Sequence, residues 1–297
     1  MMKTIYKTGV LLLLAASVTS CDSFNNFLPN LDVIGMVYGQ SPRNDERFDQ
    51  SMSYNAEHAA QYADVVLTRD DYKVYFGTDM HVDSTWRNTQ AWAQAVEDDA
   101  DCPFAIVLGD VINAMDNYPH FLAGMEPLHK RWFCTAGNHD IYYGQWAEYL
   151  QYIGSSVYSF QVLTPTAKDL YICLDSSDGT LARKQFKWLE KTLQEAQNNA
   201  YRHIIVFTHT HLFKHDSTQG HTSNYALEET YAITEMLGKY GVEWHVSGHV
   251  HCRSVTDFKG VKYIVVDTLQ DPEQEAAFMV AYVGRQLQYE FIKVTDL

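Results

Sequence analysis

Residues 73–81, KVYFGTDMH, decide the fold, because a short apolar run ends at Gly77 and a polar cluster follows at once. Apolar runs of this length that end at glycine are typical of buried strands. Four further polar clusters each closely follow a strand-like run. The five clusters are residues 77–81 (GTDMH), 109–113 (GDVIN), 137–140 (GNHD), 208–211 (THTH) and 248–251 (GHVH). In open α/β sheets the C-terminal strand ends share one rim, so we expect the clusters to meet there.

From residue 71 onward, strand-like runs alternate with amphipathic stretches, which is typical of an α/β domain. The predicted strands are 73–76, 104–108, 132–136, 157–162, 170–174, 203–207, 243–246, 261–266, 276–283 and 287–294. The predicted helices are 86–97, 121–128, 182–197 and 225–240. The last three strands have no helix between them, so the pattern predicts an antiparallel segment that closes the chain.

The clusters consist of side chains that bind metals. Imidazole suits Zn, Cu, Fe and Ni, whereas carboxylate and amide oxygens suit harder ions such as Mn. Alternate residues of an extended segment can face one side, so one short cluster can supply two ligands. The candidate ligands are Asp79, His81, Asp110, Asn138, His209, His249 and His251. This number is too large for one tetrahedral ion with an open position and suits two ions that share a bridging carboxylate.

In this order, the clusters resemble the calcineurin-like metallophosphoesterase superfamily, whose pattern runs Asp-x-His, Gly-Asp, Gly-Asn-His-Asp/Glu, His and Gly-His-x-His. The resemblance covers roughly residues 71–297. It implies a two-sheet β-sandwich flanked by helices, in an αββα arrangement, with the metal site at the C-terminal ends of the strands. Residues 174–181 (LDSSDGTL), with Gln185 and residues 188–190 (WLE), also resemble the branch that contains cyclic-nucleotide phosphodiesterases and purple acid phosphatases.

The resemblance also implies a role for each candidate ligand. One metal would be held by Asp79, His81 and His251. The other would be held by Asn138, His209 and His249, with Asp110 as the bridge between them. His139 would be the catalytic histidine outside the metal shell, and Asp140 would orient its imidazole.

Two positions depart from the family pattern. Asp83 stands where many relatives have glycine, and His211 stands where proline is usual. His211 is therefore an alternative to His209 as the ligand, or else a substrate contact. The polar loop that follows supplies the other candidate substrate contacts, which are His215, His221 and Asn224.

The implied chemistry is hydrolysis of a phosphodiester or phosphomonoester. We expect two divalent or mixed-valence ions (Mn, Fe, Zn or similar), about 3.5–4 Å apart, to activate a bridging hydroxide that attacks phosphorus. His139, whose ordinary pKa is about 6.5, can protonate the leaving oxygen. The substrate would be a small phosphate ester or a phospholipid head group. The alternative is a catalytically inactive metal-binding or interaction lipoprotein of the same fold, against which the intact ligand set and His139 argue.

The N-terminus has the layout of a signal peptide, with two lysines, an apolar run over residues 9–18, and small residues before Cys21. The run is shorter than the ~20 residues of a spanning helix. Residues 18–21 (VTSC) resemble the lipobox of bacterial lipoproteins, in which the cysteine is acylated; the alternative is an ordinary signal with a chance cysteine. We expect a signal peptide over 1–20, a tether and N-terminal segment over 21–70 with a helix near 46–63, and the phosphoesterase domain over 71–297. The protein would then be exported and anchored by lipid in the bacterial cell envelope, facing the periplasm or the exterior.

The net charge of the chain is −15, and it becomes −17 without residues 1–20, which contain two lysines and no acidic residue. Nonspecific nucleic-acid binding needs clustered Lys and Arg, so no nucleic-acid partner is expected. The cysteines other than Cys21 match no zinc motif, and their disulfide pairing stays open. Cys134 and Cys173 fall in strand-like runs and are expected in the core.

Overall fold

The structure is a computed structural model that describes residues 42–114, 116–214, 220–222 and 224–297. The predicted signal peptide, Cys21 and His215 lie outside these residues. The helices are α1 (Asn44–Glu57), α2 (Arg87–Asp98), α3 (Tyr118–Gly124), α4 (Asn138–Ile141), α5 (Trp146–Tyr152), α6 (Ala182–Ala196) and α7 (Leu227–Lys239), with 3₁₀ turns at Tyr142–Gly144 and Val294–Asp296. In the part of the chain that is described, no helix is long and apolar enough to cross a membrane.

Two mixed sheets form the centre of the molecule. The strands are β1 (Val65–Val66), β2 (Tyr72–Gly77), β3 (Phe104–Val107), β4 (Arg131–Cys134), β5 (Tyr158–Leu163), β6 (Lys168–Cys173), β7 (Ile204–Phe207), β8 (Trp244–Ser247), β9 (Ser254–Phe258), β10 (Val261–Val265), β11 (Ala277–Val283) and β12 (Leu287–Lys293). One sheet has the order β1-β5-β6-β7-β8-β10-β9, and the other has the order β12-β11-β2-β3-β4. Strands β2, β3 and β4 are parallel to one another, as are β6, β7 and β8, so each sheet presents a row of C-terminal strand ends.

Both faces of each sheet are covered by apolar side chains. In β7, Ile205 and Phe207 belong to the core between the sheets, while Ile204 and Val206 belong to the core under α6 and α7. The helices α2, α3 and α5 pack on the outer face of the other sheet through a third core. Strands buried on both faces need continuous apolar runs. Such runs are visible in the sequence, which is why these strands could be predicted from it. The predicted two-sheet sandwich flanked by helices is confirmed.

The predicted closing segment is wrong in one strand. Only β11 and β12 form the antiparallel end of the five-stranded sheet, whereas β10 pairs parallel to β8 in the other sheet and antiparallel to β9. Strand β9 was not predicted, because exposed and half-buried residues alternate along it at the sheet edge and form no apolar run. Lys259 and Gly260 both have positive φ values, 53° and 79°, as a tight two-residue hairpin requires.

Helix α1 packs onto the sandwich through one buried arginine. The guanidinium of Arg47 donates to Asp175 Oδ2 at 2.8 Å and to Ser177 Oγ at 3.1 Å. Both acceptors lie in the loop that follows β6. Both Arg47 and Asp175 are buried. The helix is therefore fastened to the rim where β6 ends. The cysteines of the described residues, Cys102, Cys134, Cys173 and Cys252, are free thiols, and the first three are buried.

Candidate metal centre

The five polar clusters meet where β2, β3 and β4 of one sheet and β7 and β8 of the other end. The first two clusters lie side by side, since Asp79 N–H donates to the Gly109 carbonyl and His81 N–H to the Asp110 carbonyl, both at 3.0 Å. His249 N–H donates to Asp79 Oδ2 at 2.8 Å and joins the fifth cluster to the first across the sandwich. The strand-exit pattern thus produces a single site.

The first donor group consists of Asp79, His81 and His251. The two imidazoles approach through their Nε2 atoms, which are 3.0 Å apart. Asp79 Oδ1 lies 3.3 Å from His251 Nε2 and 3.7 Å from His81 Nε2. Among the described residues this buried oxygen has no hydrogen-bond partner, so its lone pairs are available to a cation.

The second donor group surrounds Nε2 of His209. This atom lies 3.1 Å from Asn138 Oδ1 and 3.1 Å from His249 Nδ1. The other ring nitrogen, Nδ1, lies 2.8 Å from the Leu108 carbonyl, and a hydrogen bond there leaves the lone pair of Nε2 directed into the group. Two atoms each ~2.0–2.2 Å from one ion are ~3.0–3.5 Å apart, so the spacing of both groups fits metal ligation.

Asp110 belongs to both donor groups. Its Oδ2 lies 3.3 Å from His209 Nε2 and 3.6 Å from His81 Nε2. Its other oxygen, Oδ1, accepts the backbone N–H of His139 at 2.7 Å. A single carboxylate oxygen therefore lies between the two sets of imidazoles.

Left-handed backbone is concentrated in the site. Its φ values are positive at five non-glycine candidate ligands, namely Asp79 (50°), His81 (42°), Asp110 (51°), His249 (80°) and His251 (51°). This conformation costs about 1–3 kcal/mol per residue and persists only where surrounding contacts impose it. The strained positions are therefore the candidate ligands themselves.

Two glycines allow the clusters to approach each other. A Cβ atom on Gly137 would lie 2.2 Å from Asp110 Oδ1, and one on Gly248 would lie 2.6 Å from Asp79 Oδ2. Both distances are far below van der Waals contact. The glycine that opens each of these clusters is required by the carboxylate beside it.

The buried charges of the site depend on one another. Burial disfavours the charged form of Asp79, yet His251 and His81 hold its pKa well below the usual range. Burial also opposes the charge on His209, but the carboxylates of Asp110 and Asp79 outweigh it and raise the pKa to about 9. Burial and the nearby His209 lower the pKa of His249 to about 4. Buried ionised carboxylates need a compensating positive charge, which metal ions can supply.

His139 lines the cleft beside the donor groups. Its ring meets the ring of His81 edge to face, with centroids 4.5 Å apart, and its Nδ1 lies 3.4 Å from the Asn113 carbonyl. Burial lowers the pKa of His139, although Asp110 partly opposes the shift. The imidazole therefore lies next to the metal donors, with Nδ1 toward a backbone carbonyl.

The expected role of Asp140 needs correction. Its carboxylate accepts three backbone N–H groups, from Asp110 and Gly137 at 2.8 Å and from Val111 at 3.0 Å. These bonds occupy both oxygens, so Asp140 fastens two loops together instead of orienting the imidazole of His139. Burial, with a contribution from Asp110, raises its pKa to about 7.

A model of the calcineurin-like phosphoesterase family matches residues 72–253, which is more than half of the chain. The chain belongs to the calcineurin-like phosphoesterase family. Membership supports metal-dependent hydrolysis of phosphate esters as the general activity, and the His and Asp groups described above can hold metal ions. Comparison with curated proteins gives no match.

Solved structures of similar fold have low identity to this calcineurin-like phosphoesterase. GAP50, described as the anchor in the inner membrane complex of Plasmodium, is 12% identical over 76% of this chain and 85% of that chain, with a TM-score of 0.58. A purple acid phosphatase from yellow lupin seeds is 14% identical over 77% and 52%, with a TM-score of 0.58. A putative 5′-nucleotidase from Staphylococcus aureus is 17% identical over 75% and 54%, with a TM-score of 0.55. The chain spans about half the length of the last two proteins, and the likeness concerns the fold.

The choice between His209 and His211 follows from their partners. His209 lies in the second donor group, whereas His211 Nε2 faces Thr222 Oγ1 at 3.2 Å. His211 remains close by, because its ring centroid is 5.7 Å from that of His249. The geometry favours His209 as the ligand.

Two predicted substrate contacts lie away from the cleft. The ring of His221 packs against Phe213 and Tyr231, each with centroids 4.7 Å apart. The backbone N–H of Asn224 donates to Thr222 Oγ1. Neither His221 nor Asn224 lines the cleft. His221 also forms an isolated antiparallel bridge with Phe213.

Several residues of the site were missed by sequence reasoning. Asn113 and Gln270 line the cleft, which has a volume of about 280 Å³. Ser176 Oγ accepts the N–H groups of His209 and Thr210 at 3.2 and 2.8 Å and so supports the fourth cluster. Asn113 lies within a cluster that the sequence identified, and Ser176 lies in the stretch 174–181. Gln270 has no local signal, because only the fold brings its loop to the rim.

Proposed function

We propose that the protein hydrolyses phosphate esters, either phosphodiesters or phosphomonoesters, with two metal ions held by the two donor groups. The observation that carries this proposal is the position of Asp110 Oδ2, 3.3 Å from His209 Nε2 and 3.6 Å from His81 Nε2. One carboxylate shared between two sets of ligands is the arrangement that a paired metal site requires. The identity of the ions would follow from the ligands, which suit Mn, Fe or Zn.

In this proposal each donor group holds one ion, and Asp110 is shared between the two groups. One ion would be held by Asp79, His81, His251 and Asp110, and the other by Asn138, His209, His249 and Asp110. Such ions, when bound, supply a water of lowered pKa and neutralise charge on phosphoryl oxygens.

His139 is proposed as the general acid. In its protonated form it would deliver a proton to the oxygen of the leaving alcohol. Burial lowers its pKa, which makes the imidazolium a stronger acid than a histidine in water. The hydrogen bond between Nδ1 and the Asn113 carbonyl would hold the ring while the other nitrogen faces the cleft.

The substrate is proposed to be a small phosphate ester or a lipid head group. Among the described residues the cleft is lined by His, Asp, Asn and Gln side chains, and no Lys or Arg lines it. With a chain charge of −15, this argues against polyanionic partners such as nucleic acid. The signal-peptide layout of residues 1–20 and the lipobox-like residues 18–21 support a further proposal. The protein would be exported and attached to the bacterial cell envelope through lipid on Cys21.

The alternative is a catalytically inactive binding protein. One protein of similar fold, GAP50, is described as an anchor. The complete set of donors and the adjacent His139 favour hydrolysis for this chain.

Release of nitrophenol from mono- and bis-nitrophenyl phosphate, with added Mn²⁺, tests the proposal. We expect turnover by the wild type and loss of both turnover and paired metal binding in Asp110→Ala, with the exposed Asp98→Ala as control. Two bound metals without turnover of either ester would refute the enzymatic function. Two full metals in Asp110→Ala would refute the shared carboxylate.

A further inference from the structure

Asn138 is unlike the other candidate ligands, because its side chain has one end that can bind a cation and one that cannot. The oxygen Oδ1 carries lone pairs, whereas Nδ2 has only hydrogens to offer. A ligand of this kind works only when its carboxamide is held in the correct plane.

Tyr142 holds the other end of that carboxamide. Asn138 Nδ2 donates to the Tyr142 hydroxyl at 2.9 Å, while Oδ1 lies 3.1 Å from His209 Nε2. The two contacts are at opposite ends of one planar group, so together they define its rotamer. Rotation of the Asn138 carboxamide would break its hydrogen bond to the Tyr142 hydroxyl.

The backbone keeps Tyr142 over Asn138. Tyr142 is four residues further along, directly after α4, and its N–H donates to the Asn138 carbonyl. The next residue, Tyr143, is in left-handed conformation (φ 58°, ψ 24°), and Gly144 follows with φ 80°. Two left-handed residues in succession therefore follow Tyr142, whose ring centroid lies 5.2 Å from that of His139.

We propose that Tyr142 is a positioning residue, which pre-orients Asn138 and thereby sets the metal affinity of the second donor group. This inference rests on the proposed metal-binding function. Residues that hold metal ligands in place typically contribute about 10- to 100-fold in metal affinity. The effect is expected at the second donor group, because the ligand that Tyr142 holds, Asn138, lies 3.1 Å from His209 Nε2 in that group.

The test is a titration of the metal-free full chain with Mn²⁺, followed by calorimetry. Asn138→Ala and His251→Ala assign the two binding steps to their donor groups. Tyr142→Phe removes one hydroxyl and keeps the ring, and Tyr143→Phe is the matched control on the exposed neighbour. Thermal unfolding of each metal-free variant checks that the fold is kept.

We expect Tyr142→Phe to weaken the step assigned to Asn138 by about 10- to 100-fold, and to leave the other step and the Tyr143→Phe control unchanged. In the Asn138→Ala background the same substitution should have no further effect, which a double-mutant cycle measures. Equal weakening in both backgrounds, or an unchanged affinity in Tyr142→Phe, would overturn the proposal. A single binding step in the wild type would instead count against the paired metal site itself.

Discussion

The carboxylate of Asp140 holds the backbone of Asp110, whose N–H it accepts at 2.8 Å through Oδ2. The same oxygen accepts the N–H of Gly137, so Asp140 ties the second cluster to the third. Because Asp110 belongs to both donor groups, we expect the hydrogen bonds of Asp140 to influence the geometry of both.

Asp140→Asn should therefore act through structure. The amide group that replaces one oxygen faces N–H donors, so we expect a loss of about 1–3 kcal/mol in the free energy of unfolding. Metal binding to both donor groups should weaken. Urea unfolding and Mn²⁺ titration measure these effects, with Asp98→Asn as an exposed control. If Asp140→Asn instead changed only the pKa of His139 in the pH dependence of the rate, Asp140 would be acting on the imidazole.

The two histidines of the fourth cluster should differ in metal content. His209→Ala removes the atom around which the second donor group is built, so we expect the protein to lose one of two bound ions. His211→Ala should retain both, because its Nε2 is engaged with Thr222. Elemental analysis after dialysis decides between them. The reverse result would assign the ligand to His211.

Much of the fold was predictable, since strands such as β3 and β7 are buried on both faces and form continuous apolar runs. Helix α3 was displaced in the prediction, 121–128 against the observed Tyr118–Gly124, because Pro119 begins the helix in its first turn. The strand that pairs with β10 could not be predicted from the neighbouring sequence, since parallel pairing with β8 depends on the packing of the whole sheet.

The candidate site divides in the same way. Its metal-binding side chains are concentrated in short clusters, so their types and order were visible in the sequence. The residues that hold those clusters in place come from distant segments and are ordinary polar residues in isolation. Ser176 is one, and Thr268, whose hydroxyl donates to the Asp79 carbonyl at 2.7 Å, is another. Asp140 shows the difference most clearly, because it was identified as a site residue but its partners are backbone groups that only the structure reveals.

The buried pair of Arg47 and Asp175 should carry much of the stability of the N-terminal helix. Arg47→Met leaves Asp175 buried without its cation, so we expect a loss of about 3–5 kcal/mol in the free energy of unfolding. Lys184→Met breaks the exposed pair with Asp49, which joins the same helix to α6, and should cost at most about 1 kcal/mol. Urea unfolding compares the two. A similar small loss in both variants would show that the buried pair is dispensable.

His203 should make stability depend on pH at the edge of the sandwich opposite the metal centre. Its Nδ1 pairs with Glu243, and its Nε2 lies 2.8 Å from the Gly284 carbonyl, so the protonated ring donates to both. Burial opposes the charge, but Glu243 and Gly284 outweigh it and raise the pKa. A raised pKa in the folded state gives stability that is complete below the unfolded value of about 6.5 and is lost as pH rises through the folded value.

The wild type should therefore exceed Glu243→Gln in unfolding free energy by about 0.2–1 kcal/mol at pH 6, and by less at pH 9. Urea unfolding of the metal-free proteins at both pH values measures the difference. Glu235→Gln, which removes the partner of exposed Lys259, is the matched control and should show no such trend. An advantage that grew with pH would contradict the assignment.

The guanidinium of Arg47 also donates to the Pro42 carbonyl, at 2.7 Å, so one side chain joins the residues before α1 to Asp175. The next residue, Ser176, accepts the backbone N–H groups of His209 and Thr210. The N-terminal helix and the fourth cluster of the metal centre are therefore anchored on the same loop, and a disturbance of that loop would reach both.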